Sequence, residues 1–151
     1  MKEKYKMFGG WLKFFYFLCI INIVSSSIMI VVLFKEMFQG KKPPVEGILE
    51  CAEIGITVYI LTLIVRSIQI RNPNVPEFIK EKLYFIFAVA ILYFFLNTII
   101  TIPGSGWQEK NTIALTGSIQ TMIWAAIWRT YFEKSDRVQV YYKLVDQKNK
   151  K

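Results

Sequence analysis

Between Phe14 and Phe34 the chain carries no charged residue. Backbone inside hydrocarbon finds no water to bond with, so an apolar stretch of this length is held as a helix that satisfies its own N–H and C=O groups. Three more apolar segments follow, placing spans at about 12–34, 48–70, 78–102 and 112–132. The expected fold is an all-α membrane protein, a four-transmembrane-helix bundle forming one integral domain over 1–151, with a basic tail at 133–151. Composition agrees, since 54% hydrophobic and 16% aromatic residues exceed what a soluble domain of 151 residues hides.

The start resembles a secretory signal, with Lys2, Lys4 and Lys6 before an apolar core and small residues at Ser25, Ser26 and Ser27. The apolar run nevertheless continues from Ile28 to Phe34, past any cleavage site, so a retained span is expected. Pro43 and Pro44, the turn Arg71-Asn72-Pro73-Asn74-Val75-Pro76, and Pro103-Gly104-Ser105-Gly106 separate the segments. Residues 133–151 alternate apolar and polar side chains and read equally as a short interfacial helix or an extended arm.

Charge placement sets the expected orientation. Of the 19 lysines and arginines, only Lys35, Lys41, Lys42 and Lys110 fall on one side of this threading. The positive-inside rule therefore puts the N- and C-termini in the cytoplasm. Because the basic residues flank spans, the net charge of +8 points to lipid and not to nucleic acid. The expected partners are the bilayer, anionic lipid headgroups, and another membrane protein or a second copy of the chain. Trp11 and Trp128 are expected in the inner aromatic belt and Trp107 in the outer one, with Arg129, Tyr131 and Arg137 at headgroup level.

The second segment carries acid into hydrocarbon. Glu46, Glu50, Glu53 and Thr57 fall four, three and four residues apart and share one helix face, which must meet protein or water. Tyr93, Asn97 and Thr101 repeat every four residues on the third segment, and Thr112, Thr116 and Gln120 do so on the fourth. On this threading the stripes meet in a shallow outward-facing vestibule. Its candidate polar site is Glu50, Glu53, Thr57, Tyr93, Asn97, Thr116 and Gln120, with Glu53 the deepest acid, ~8 Å below the outer boundary. Two readings of Glu53 stand side by side: structural glue bonded to Asn97, Thr116 or Gln120, or a working group that binds a proton or cation. Asn22, Ser25 and Ser26 form a small polar face of their own, read as helix-to-helix packing.

No enzyme is expected. The chain has no histidine and two cysteines, which removes the usual zinc ligands and the usual general base, and no cofactor motif is present. Ser105 has no basic partner of the kind a nucleophile needs. Cys19 and Cys51 fall at different depths and are expected as free thiols.

The string Gly9-Gly10-Trp11-Leu12 before the first span, Glu53 early in the second, Arg71 to Pro76, and the closing Ile127-Trp128-Arg129-Thr130-Tyr131-Phe132-Glu133-Lys134-Ser135-Asp136-Arg137-Val138 resemble the bacterial membrane-protein family catalogued as domain of unknown function 2569. That resemblance covers nearly the whole chain, its closing string being the specific part. It implies a four-helix protein of the bacterial plasma (inner) membrane and brings no known activity. The expected function is a small accessory or interaction protein that binds another membrane protein or a lipid. The alternative is a small oligomeric carrier or proton-coupled pore component that uses Glu53.

Overall fold

The computed structural model describes residues 10–70, 72–101 and 107–148, with the side chains of Gln69, Ile100, Thr101, 107–115 and 143–148 outside that description. The expectations for the N-terminal lysines, Thr101, Trp107, Lys110 and Thr112 therefore lie outside the described residues or side chains. Five helices follow in order: α1 (Trp11–Phe38), α2 (Pro44–Ile70), α3 (Val75–Thr101), α4 (Trp107–Lys134) and α5 (Asp136–Lys148).

This corrects the expected four-transmembrane-helix bundle. Among the described residues, three helices are long and apolar enough to cross a membrane: Trp11–Phe38, Pro44–Ile68 and Val75–Ile99. The fourth long helix is not among them. Thr116, Ser118, Gln120 and Thr121 dilute its middle, and Arg129, Glu133 and Lys134 close it. Its length comes with too little hydrocarbon. The tail, open between helix and arm, is helical as α5.

Local chemistry explains the boundaries. Gly40 takes φ +66°, and the Gly40 and Lys41 N–H groups donate to Met37 O and Glu36 O, the reverse-turn cap that ends α1. Pro44 starts α2, where its missing N–H costs nothing. In the next turn the Asn74 N–H donates to Asn72 Oδ1 at 2.9 Å, and Pro76 sits in the first turn of α3. Ser135 ends α4 by donating its N–H to Tyr131 O, and its Oγ accepts the Val138 N–H at 3.5 Å to cap α5.

Helices pack in chain order, α1 on α2, α2 on α3 and α3 on α4, and α5 returns to touch α3. The buried core gathers at one end, from Leu12, Phe15 and Cys19 of α1, Ile60 to Ile68 of α2, Val75 to Ile86 of α3, and Ala125, Trp128 and Phe132 of α4. This end also carries Lys13, Arg66, Lys80, Lys82, Arg129 and Lys134, so it is the basic end. Phe15 is its centre, fully buried, with ring centroids 4.5 Å from Trp128, 5.1 Å from Phe132 and 5.9 Å from Trp124. Cys19 and Cys51 are free, as expected.

The closing string makes a clasp. Gly10 adopts φ 61° and ψ −137°, a conformation that side-chained residues rarely enter, and the Arg137 guanidinium lies directly against its Cα. Gly10→Ala is expected to cost about 1–3 kcal/mol through backbone strain and displacement of Arg137. Thermal unfolding in detergent would show a lowered midpoint; an unchanged midpoint would show the clasp to be incidental.

Tyr142 of α5 is buried in the core cluster, and its hydroxyl has no hydrogen-bond partner among the described residues. Burial pushes its phenol above the usual range, and the neighbouring Tyr141 and Tyr131 add to the shift. The folded state thus resists ionisation, so stability is intact below the unfolded value of about 10 and falls as pH climbs toward the folded value. Tyr142→Phe is expected to remove that alkaline decline and to stabilise by about 1 kcal/mol, because an unsatisfied hydroxyl leaves the core. Unfolding midpoints at pH 8 and above pH 10 check both parts.

Candidate functional site

Below the aromatic centre the bundle loosens. α1 and α4 are the two outer members of the row, and they converge through Phe15 against Trp124, Trp128 and Phe132. Away from that contact a cavity of about 350 Å³ lies between them. α1 contributes Asn22 and Ser26, α2 contributes Glu53, Ile54, Thr57 and Leu61, α3 supplies Ile86 as floor, and α4 brings Gly117, Gln120, Thr121 and Trp124. Gly117 and Gln120 are exposed, so the cavity opens on the α1–α4 side.

Its height is the main departure from the expected vestibule. Thr57 is the middle residue of α2, Gln120 and Thr121 are the middle pair of α4, and Asn22 and Ser26 flank the middle of α1. Glu53 stands nine residues past Pro44, roughly 14 Å along the helix at about 1.5 Å per residue. The site is central, not shallow. The reason is that α1 and α2 run on past their apolar runs, through Phe38 and from Pro44, and so lengthen the half of the bundle away from the basic end.

Of the expected polar site, Glu53, Thr57 and Gln120 line the cavity; Glu50, Tyr93, Asn97 and Thr116 are not among its lining residues. Glu50 pairs instead with Lys42 from the connection before α2. Tyr93, on α3, lies within electrostatic reach of Glu46, Glu50 and Glu53. Asn97 is half-buried and Thr116 exposed. Asn22 and Ser26 were read from the sequence as packing, although their i, i+4 spacing is the same signal that marks Glu53 and Thr57. Trp124, one turn on from Gln120, closes the cavity at the aromatic end.

Glu53 is half-buried, and among the described residues no cation and no hydrogen-bond donor engages its carboxyl. Thr57 Oγ1 is fully buried and likewise has no partner. Asn22 has its amide donated to Leu18 O at 2.8 Å, and Thr121 its hydroxyl to Gly117 O at 3.0 Å. These bonds leave the Asn22 carbonyl oxygen and the Gln120 amide to serve the cavity. The wall is therefore rich in acceptors, carries one acid and no base, and has one aromatic face.

The interfacial residues divide. Trp11 is exposed beside Phe14. Trp128, expected in that belt, is instead buried to 6% exposure among Phe15, Phe14 and Tyr131. Its spacing from Trp124 puts it on the inward face. Arg129 lies over the Tyr84 ring at 5.7 Å, Tyr131 is half-buried with its hydroxyl covered, and Arg137 is held at Gly10.

The family described as "Protein of unknown function (DUF2569)" matches residues 5–142. No curated protein and no solved structure is matched.

Proposed function

Since the chain belongs to the DUF2569 family, bacterial membrane proteins without an assigned function, we propose its activity from the site alone: a small Glu53-dependent carrier of the inner membrane. One observation carries the reading. An acid without a cation stands at mid-height of a helix bundle, in a cavity open on one side, and ionisable groups at such depth are costly to keep unless they bind something. The groups that face it are Glu50, itself tied to Lys42, and Tyr93 from α3. Neither neutralises it, which leaves a proton or a cationic ligand to do so. The reaction is binding and release, without covalent chemistry.

In proteoliposomes under an imposed pH gradient, the wild type is expected to pass a gradient-dependent flux, and Glu53→Gln to lower it roughly tenfold or more, the effect of losing one charged contact. Equal fluxes would sink the carrier reading. The sidedness belongs to the same proposal: the basic end faces the cytoplasm. A cysteine placed at Gln39 should react with an impermeant maleimide from outside the cell; reaction only after permeabilisation reverses the orientation.

A second reading, an accessory protein that binds another membrane protein, is favoured by α5. It buries Val138, Tyr141 and Tyr142 and leaves Asp136 and Gln139 exposed at the basic end as a rigid polar surface. Capture from intact membranes that survives Glu53→Gln and is lost with Asp136 and Gln139 replaced by alanine would select it.

A further inference from the structure

The lining of the cavity also restricts what it holds. The carboxyl of Glu53 offers negative charge, the carbonyl oxygens of Asn22 and Gln120 offer acceptors, and Trp124 offers a ring face. No lysine or arginine lines it. An anion would meet an acid with nothing to balance it, and an uncharged apolar molecule would leave the Glu53 carboxyl unsatisfied. A cation satisfies every one of them. A compact inorganic ion would need several oxygens converging at short distance, whereas these groups are spread over three helices around about 350 Å³. The volume and the indole face of Trp124 suit an organic ammonium, which gains both charge pairing and cation–π attraction.

The opening restricts the rest of the molecule. It lies between α1 and α4, whose outward faces carry exposed Ile21, Val24 and Ile28 on one side and Ile119 and Ile123 on the other. α1 is apolar enough to cross a membrane and α4 packs along α3, which is too, so a mid-height opening between such exposed apolar faces meets lipid chains and not water. The aromatic cluster of Phe15, Trp124, Trp128 and Phe132 blocks the path toward the basic end. A ligand entering here must bring its charged head through apolar surroundings and leave an apolar part outside.

We propose that the cavity is a binding site for an ammonium-bearing amphiphile, its head against Glu53 and Trp124 and its tail leaving between α1 and α4. This inference rests on the carrier reading for its purpose, though not for its chemistry. The same head group has two sources, the amine of a bilayer phospholipid or a free lipophilic amine.

The test is equilibrium binding of tritiated dodecyltrimethylammonium to the full chain in neutral maltoside micelles. Saturable binding is expected, weakened roughly tenfold or more by Glu53→Gln, as for a lost charge-assisted contact, and several-fold by Trp124→Leu, as for a lost cation–π face. Displacement by phosphatidylethanolamine identifies the lipid as the source, and displacement by dodecylamine without displacement by that lipid identifies the free amine; phosphatidylglycerol should displace in neither case. Tetramethylammonium, the head without a tail, should compete poorly. Equal binding by Glu53→Gln, equal displacement by dodecyl sulfate, or full competition by tetramethylammonium would each overturn the assignment. Gln120→Met, at an exposed lining position and of similar length, guards against a folding artefact: it should bind more weakly while keeping the wild-type unfolding midpoint, and unaltered binding would count against the site. Glu53-dependent proton flux without ammonium binding would overturn this inference and leave the carrier reading standing; binding without flux would do the reverse.

Discussion

Phe15→Ala is expected to remove about 3 kcal/mol of stability, the largest loss for any single truncation in the bundle. Phe15 is fully buried and is the ring on which α1 meets α4, through Trp124, Trp128 and Phe132. Within a bilayer, transfer from water contributes little to helix association, so the loss is mainly dispersion contact across the void that the ring leaves. Phe17→Ala, two residues on and half exposed, is the control and should be nearly neutral. Unfolding in mixed micelles reads the difference, and equal losses would mean that α1 and α4 are not joined at this point.

Glu53→Leu carries the second large effect, and it separates two accounts of the same residue. If Glu53 were glue, its removal would destabilise by the bonds it made. With no partner among the described residues, the carboxyl instead contributes a cost, and an apolar side chain of similar reach is expected to raise stability by about 1 kcal/mol or more while abolishing flux. Stability and activity moving in opposite directions is the pattern of a group kept for function. A destabilised Glu53→Leu that still carries flux would return Glu53 to a structural role.

Much of this is legible in the sequence. The steps of four, three and four from Glu46 to Thr57, and the single step from Thr116 to Gln120, mark polar faces because a helix returns to the same side every three or four residues. That rule assigns a face and leaves the partner open. Glu50 therefore grouped with Glu53 in sequence, yet pairs with Lys42, because a connection ending in Pro43 and Pro44 folds back over the first turn of α2. Asn22 and Ser26 carried the same signal and were read as packing; only the order of the helices, with α1 and α4 at the two ends of the row, turns that face toward Gln120. The fourth apolar segment, 112–132, has the length of a span. Its polar middle, Thr116 to Thr121, makes the helix less apolar than α1, α2 and α3, and Gly117, Gln120 and Thr121 of it line the cavity. Trp128 shows the limit of a belt rule, since a tryptophan near a helix end goes to the interface unless its neighbours, here Phe15 and Tyr131, enclose it.

A polar cavity lies at mid-height, open between α1 and α4. Spin labels at Gln120 and at Ile123, in a chain with Cys19 and Cys51 replaced by alanine, probe it. Both positions lie near the middle of α4, but only Gln120 lines the cavity, while Ile123 is exposed on the apolar face. In frozen reconstituted bilayers the label at Gln120 is expected to show the larger nitrogen hyperfine splitting of a polar surrounding and the label at Ile123 the smaller splitting of hydrocarbon. The smaller splitting at both positions would contradict a polar cavity between α1 and α4.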